Sequence, residues 1–168
     1  GKLAGTPFSG YFGPSYVSEK GFASSGVGFV WKNHVNMRIV GPVEGLPMQR
    51  YLEAVCYIQK IGEVSILSCY VFVSETSRNL DNNMVLIKHA MASGRPFVIL
   101  GDHNMPVYFC KKWLSYYTGL VEVVDFGNTC FSQISATAID FAIMSRSLFS
   151  QQVSISNLQS ELATHRVI

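Results

Sequence analysis

Charged residues are scarce in this chain of 168 residues. Lys, Arg, Asp and Glu together make up 14% of it, where a typical soluble chain has about 25%. The 13 basic and 11 acidic residues leave a net charge of +2, and Lys111 and Lys112 form the only adjacent basic pair. No basic run of the kind that binds nucleic acid non-specifically is present. A surface so poor in charge predicts protein partners that cover part of its apolar area.

Other absences narrow the class of protein. None of the four cysteines, Cys56, Cys69, Cys110 and Cys130, belongs to a Cys-x-x-Cys motif, and three lie in apolar stretches, so we expect reduced core residues. No apolar run approaches the ~20 residues of a transmembrane segment, and no signal peptide is visible. Because no linker, repeat or low-complexity tract divides residues 1–168, the sequence predicts a single domain.

Turn residues recur along the chain and favour short strands with a few helices. The helical pattern is clearest where Leu80, Met84, Ile87 and Met91 form one apolar stripe, which predicts a helix ending near Gly94. A second helix is predicted over 107–119. Strands are predicted at 26–31, at 51–59 and 64–73 as an antiparallel hairpin, at 97–100, at 120–124, at 137–145, and around Val153 and Ile155.

Two polar features interrupt these strands. The apolar strand 97–100 runs through a glycine into Asp102, His103 and Asn104. On the motif alone, capping of a turn or helix by Asp102 and Asn104 is the better interpretation. In the strand 137–145, Asp140 shares a face with Ala142 and Met144. A carboxylate on an inner strand face is costly unless it is paired, so Asp140 needs a partner.

Four stretches, in this order, resemble the endonuclease/exonuclease/phosphatase superfamily, and within it most nearly the endonuclease domains of non-LTR retrotransposons. "SCYVF" contains Tyr70, "VILGDHN" is similar to the family's strand followed by Gly-Asp-x-Asn, and "SATAIDFAIMS" is similar to its late Ile-Asp-Tyr/Phe strand. "THRVI" is similar to its closing Ser-Asp-His-x-x-Val. The resemblance covers about 26–165. It implies a deoxyribonuclease-I-like α/β sandwich of two mostly antiparallel sheets with helices outside and the first strands missing, so that the domain is N-terminally truncated.

The resemblance also implies roles for five residues. Asp102 would position or deprotonate the attacking water, and Asn104 would hydrogen-bond the phosphate or that water. Tyr70 would contact a phosphate oxygen, and His165 would stabilise the charge that builds on the phosphoryl group. Asp140 would orient His165, and this would supply the partner that its burial requires. A purely structural Asp140–His165 pair is an equal alternative.

Departures from the family pattern bear on activity. The family carries an Asn and a metal-binding Glu on its first two strands, whereas residues 1–25 hold one acid, Glu19, in a turn-like stretch. Thr164 stands where the family has Asp, and a neutral side chain cannot supply the charge that Mg²⁺ needs. We therefore assign no metal ligand and expect no cofactor for the chain as it stands, with Mg²⁺ required only if the site is active.

Two functions follow from these residues. The first is a degenerate pseudoenzyme that serves as a non-catalytic structural subunit of a larger protein complex. The alternative is a fragment of an Mg²⁺-dependent phosphodiesterase, a DNA endonuclease of retroelement type. Nucleic acid is a partner implied by the resemblance alone. The aromatic residues, such as Phe29 and Trp113, are interpreted as core, because no basic residues interleave with them. His34, His89 and His103 lack ligand spacing and are expected at or near the surface.

Overall fold

The computed structural model describes residues 1–17, 21, 23–24, 26–73, 75–117, 119–131 and 136–151. Its helices are α1 Thr76–Ala92, α2 Val107–Tyr117 and α3 Arg146–Phe149. Its strands are β1 Phe8–Phe12, β2 Tyr16–Val17, β3 Ala23–Ser24, β4 Gly28–Lys32, β5 Met37–Pro42, β6 Tyr51–Ile58, β7 Gly62–Tyr70, β8 Phe97–Asp102, β9 Val121–Asp125, β10 Cys130–Phe131, β11 Ala136–Thr137 and β12 Asp140–Ser145. The predicted strand around Val153 and Ile155 lies outside these residues, as do Glu19, Thr164 and His165.

A six-stranded sheet organises the fold, with its strands in the order β5-β6-β7-β8-β12-β9. Only β7 and β8 run parallel, and the other neighbouring pairs are antiparallel. The parallel pair is joined through α1, as parallel strands require a crossover. β6 and β7 form the predicted hairpin, in register from the pair Tyr51–Cys69 to the pair Ile58–Gly62. The mostly antiparallel α/β architecture is therefore confirmed.

Apolar residues cover both faces of this sheet. On one face, α1 and α2 pack over a large cluster that includes Leu67, Ile99, Phe141 and Ile143. The opposite face carries a smaller cluster with Val98, Ala142, Met144 and Leu148. Alternate residues of β12 thus belong to different clusters, as the period of two predicts. Two-stranded sheets are formed by β1 with β4, β2 with β3, and β10 with β11.

The buried face of α1 differs from the predicted stripe. Its buried residues are Asn79, Asn83, Leu86, Ile87 and Ala90, whereas Met91 is 41% exposed. The stripe is confirmed at Ile87, which is buried, and at Leu80, which packs against the core. It is wrong at Met91, and it leaves out the buried Asn79 and Asn83. The Asn79 amide donates to the Phe72 carbonyl at 2.7 Å, and its oxygen accepts the Phe72 N–H at 3.1 Å. These bonds satisfy a buried polar group and fasten the segment that follows β7 to the helix.

The four cysteines are free thiols, and Cys56, Cys69 and Cys110 are buried, as the sequence predicts. None of the helices that the structure describes is long and apolar enough to cross a membrane.

Candidate active site

Three of the predicted site residues lie in one row across the sheet. Tyr70, the last residue of β7, is in register with Asp102, the last residue of β8, and Asp102 is in register with Asp140, the first residue of β12. Register partners on neighbouring strands present their side chains on the same face, with antiparallel Cβ atoms about 4.5–5.5 Å apart. Because β12 runs antiparallel to β8, its start meets the ends of β7 and β8. We call Tyr70, Asp102 and Asp140 the strand-end row.

The backbone conformation of β8 requires glycine at position 101, immediately before Asp102. The φ angle of Gly101 is +147°, which only glycine adopts without strain. A Cβ built on it would overlap the carbonyl oxygen of Cys69 and would lie 2.8 Å from the carbonyl carbon. The backbone of β8 therefore approaches β7 closely at this point, and this approach sets the position of Asp102 beside Tyr70.

Asn104 is held against the strand-end row by two hydrogen bonds. It has a φ angle of +43°, a conformation that asparagine tolerates better than most residues. Its main-chain N–H donates to the Asp102 carboxylate at 2.8 Å, and its side-chain amide donates to the Val71 carbonyl at 3.2 Å. The first bond closes the turn that Asp102 and Asn104 were expected to cap on the motif alone. The second places the Asn104 side chain next to the end of β7, beside Tyr70, so the turn and the site coexist.

Asp140 is only 5% exposed, and its N–H donates to the buried hydroxyl of Thr129 at 3.0 Å. Its predicted partner, His165, lies outside the described residues, so the predicted pair remains a prediction. The row thus combines a buried carboxylate at Asp140 with a half-buried one at Asp102. Asp102 is the carboxylate that a substrate or a solvent molecule can reach.

His103 is fully buried, so the expectation of a surface or half-buried imidazole was wrong. Its ring stacks on Phe141 with centroids 3.9 Å apart and an interplanar angle of 11°, and Nε2 lies 3.7 Å from the Cys69 sulfur. Burial lowers the pKa of His103 from 6.5 to about 3, so the ring is neutral at physiological pH. The alternation from Ile99 through Gly101 to His103 is the sequence signal that places it on the helix-covered face.

The thiols near His103 are also held in their neutral form. Burial raises the pKa of Cys69 well above its ordinary value, and the carboxylates of Asp102 and Asp140 raise it further. Burial raises the pKa of Cys110 to about 12. A thiol rather than a thiolate is a poor nucleophile and a poor metal ligand, so these groups are packing residues.

Arg50, Phe72 and Arg78 form a feature that the sequence did not indicate, and we call it the arginine–phenylalanine cluster. The Arg50 Nη1 donates to the carbonyls of Tyr70 and Val71, both at 3.1 Å. The guanidinium carbons of Arg50 and Arg78 lie 4.2 Å and 3.7 Å from the centre of the Phe72 ring. Arg50 is far from the other two in sequence, and no local pattern connects them.

Magnesium is the ion that the resemblance implies for this site. Among the residues described, no group of three or more His, Cys, Asp or Glu side chains could hold a metal ion. Mg²⁺ often takes only one or two protein carboxylates and completes its shell with water and substrate phosphate. The oxygen donors of the strand-end row fit Mg²⁺ in kind, and the half-buried Asp102 is the residue that would hold it.

Comparisons with known proteins bear on the fold. No family model matches the chain, and no curated protein matches it. Among solved structures, the Xenopus laevis APE2 catalytic domain is similar with a TM-score of 0.63 at 16% identity, covering 95% of this chain and 74% of that chain. The human Nocturnin catalytic domain is similar with a TM-score of 0.58 at 12% identity, covering 83% and 61%.

An endonuclease/exonuclease/phosphatase family protein from Bacteroides thetaiotaomicron is similar with a TM-score of 0.50 at 12% identity, covering 84% of this chain and 62% of that chain. The chain spans about three fifths of the length of this structure and of the Nocturnin structure. The nearness to retrotransposon endonucleases stays a prediction. At these identities the likeness concerns the fold. The chain has the deoxyribonuclease-I-like fold of the endonuclease/exonuclease/phosphatase superfamily.

Proposed function

We propose that the chain carries the site of a metal-dependent phosphodiesterase that acts on nucleic acid, with DNA the substrate that the resemblance to retrotransposon endonucleases implies. The observation that carries the proposal is the register of the strand-end row. Three chain segments that are distant in sequence place Tyr70, Asp102 and Asp140 side by side. A structural cap for a single turn needs Asp102 and Asn104 but not the other two residues.

Asp102 is the general base in this proposal. Its carboxylate is half-buried, accepts the Asn104 N–H, and is held in one orientation by that bond. A water molecule hydrogen-bonded to this carboxylate would be aligned toward a phosphorus atom and would lose its proton to Asp102. A bound Mg²⁺ would neutralise charge on the phosphate and favour ionisation of the water.

Tyr70 and Asn104 position the phosphate in this proposal. The Tyr70 hydroxyl can donate to a non-bridging oxygen, and the Asn104 amide is fixed beside it through Val71. Donors that are already oriented before the substrate arrives need no reorganisation when charge develops in the transition state. Asp140 and His165 would complete the site as the resemblance implies, with Asp140 orienting the imidazole and His165 stabilising the phosphoryl charge.

The test is nicking of supercoiled plasmid by the purified chain in Mg²⁺ or Mn²⁺, with EDTA as the metal control. We expect nicking that requires the metal and falls at least 100-fold in Asp102→Asn, because general-base catalysis contributes roughly 10²–10⁴-fold. Asp102→Asn keeps the size of the side chain and an oxygen for the Asn104 N–H. Asp81→Asn, at an exposed position of α1, is the matched control and should nick like the wild type.

A non-catalytic structural subunit is the second candidate, and the apolar surface of β1 and β4 favours it. Phe12 is 66% exposed and Val30 is 55% exposed in this two-stranded sheet. Exposed apolar side chains that lie together are typical of surfaces that bind another protein. A sample that melts cooperatively but does not nick in either metal would exclude the phosphodiesterase proposal and leave the subunit role.

A further inference from the structure

The arginine–phenylalanine cluster borders a cavity of about 280 Å³ lined by Pro47, Gln49, Arg50 and Phe72. Pockets for drug-sized ligands are roughly 300–1,000 Å³, so this cavity suits a group of one or two rings. Its lining combines an aromatic ring, a guanidinium plane and a side-chain amide. These are the groups with which proteins stack on an unpaired nucleobase and hydrogen-bond its edge.

The charge of the cluster favours a phosphate-bearing ligand. Both guanidinium carbons lie within 4.2 Å of one ring centre, so their separation is at most twice that distance. This is close to the Debye length of about 8 Å at physiological salt, so their positive potentials reinforce each other. Glu75 pairs with Arg78 at 2.9 Å, whereas Arg50 has no carboxylate partner in the part of the chain that the structure describes. One positive charge is therefore not neutralised.

The cluster is physically continuous with the strand-end row. The Val71 carbonyl accepts hydrogen bonds from both Arg50 and Asn104, and Arg50 also donates to the carbonyl of Tyr70. The Arg50 guanidinium lies 5.3 Å from the centre of the Tyr70 ring. A strand of nucleic acid with one phosphate at the row would thus place a neighbouring nucleotide over the cluster.

We propose that this cavity binds an unpaired nucleobase next to the phosphodiester held at the strand-end row. The base packs against Pro47, Arg50 and the edge of the Phe72 ring, whose faces the two guanidinium groups cover. Gln49 hydrogen-bonds the edge of the base, and Arg78 contacts the flanking phosphate. The substrate class is therefore nucleic acid with a single-stranded nucleotide beside the cleaved bond. The place of this nucleotide relative to the cleaved bond rests on the proposed phosphodiesterase function. Binding of an unpaired base in the cavity can be tested separately from cleavage.

The binding test uses fluorescence anisotropy of a labelled 12-nucleotide oligothymidine and of a blunt duplex of the same length, in EDTA so that no cleavage occurs. We expect tighter binding of the single strand. Phe72→Leu keeps apolar volume but removes the ring that lines the cavity and holds both guanidinium groups. It should weaken single-strand binding about fivefold or more, a loss within the roughly 1–3 kcal/mol that one base contributes on such a platform. Tyr57→Leu, at an exposed tyrosine near the end of β6, is the aromatic control and should bind like the wild type.

Arg78→Gln separates phosphate contact from stacking. It should lower the slope of log affinity against log salt by about 0.7, the value for one phosphate contact on a single strand, whereas Gln49→Ala should leave the slope unchanged. Arg38→Gln, at an exposed arginine of β5, is the cationic control. Gln49→Ala, outside the regular elements, tests the same cavity if Phe72→Leu fails to fold, and it should also weaken single-strand binding.

Three results would overturn the inference. They are equal affinity for duplex and single strand, unchanged binding by Gln49→Ala and the folded Phe72→Leu, and an unchanged salt slope in Arg78→Gln. Failure of the proposed function has a different signature. A chain that binds single strands through Phe72 but does not nick plasmid retains the base cavity without phosphodiesterase activity. A chain that nicks but binds independently of Phe72 and Gln49 has the activity without the base cavity.

Discussion

Acidification provides a quantitative test of the packing around His103. The folded pKa is about 3 and the ordinary value is 6.5, so between these pH values the unfolded chain binds one proton more than the folded chain. The free energy of unfolding therefore rises with pH across this window. The His103 contribution is fully present above pH 6.5 and is lost as the pH falls toward 3.

The size of the effect follows from the same two pKa values. Each pH unit below 6.5 lowers the free energy of unfolding by about 1.4 kcal/mol. At pH 5 the loss from His103 alone is about 2 kcal/mol, a large share of the ~5–15 kcal/mol that stabilises a typical domain. The loss arises because a protonated imidazole cannot remain between the Phe141 ring and the Cys69 thiol without solvation.

The assay is urea unfolding at pH 7 and pH 5, in EDTA so that metal binding at the neighbouring Asp102 does not contribute. The wild type should lose about 2 kcal/mol more than His103→Leu between the two pH values. Only the difference within each protein matters, so a change in the absolute stability of the variant does not disturb the comparison. Equal losses in the two proteins, or an imidazolium NMR signature of His103 at pH 5, would refute the reasoning.

Two further substitutions test how the site is supported. Gly101→Ala should lower the free energy of unfolding in urea by more than about 3 kcal/mol, because the added methyl group would overlap the Cys69 carbonyl. Gly94→Ala is the control, since Gly94 also has a positive φ but open space around it, and it should cost about 1–2 kcal/mol. Similar losses of stability in the two variants would contradict the close approach of β8 to β7. Glu53→Ala should cost about 1.5–3 kcal/mol, the range for hydrogen bonds to a charged group, because the carboxylate, 2% exposed, accepts from His89 at 2.7 Å and Arg95 at 3.4 Å. A loss under about 1 kcal/mol would mean that these bonds are not stabilising.

The parts of the fold that the sequence predicts are those where local pattern and packing agree. The hairpin of β6 and β7 follows from two β-branched and aromatic runs around a short polar turn, and Lys60 and Gly62 adopt positive φ in that turn. The faces of β12 follow from strict alternation. The strand-end row was foreseen as separate candidate residues through family resemblance, but its register could not be, because strand pairing depends on contacts across the whole sheet.

The two features that the sequence did not predict correctly, the buried face of α1 and the arginine–phenylalanine cluster, both depend on tertiary contacts. The predicted stripe of α1 left out Asn79, which is buried and bonded to the main chain of Phe72, and hydrophobic pattern cannot anticipate such bonds. The arginine–phenylalanine cluster was missed because the absence of a basic run was taken as the absence of a basic surface. Arg50 precedes β6 and is bonded to the end of β7, whereas Arg78 lies in α1. Tertiary structure can thus concentrate charges that are dilute in the sequence.

These observations together indicate how a weakly charged chain could attract a polyanion. His103 contributes no positive charge, because its imidazole is neutral and lies on the helix-covered face. The strand-end row contributes two carboxylates, which by themselves repel phosphate. Among the described residues, the cation bonded directly to this edge of the sheet is Arg50, through the carbonyls of Tyr70 and Val71. Substrate attraction in the proposed function therefore depends on Arg50 and Arg78 together with any bound metal, and loss of either arginine should weaken binding more strongly at low salt than at high salt.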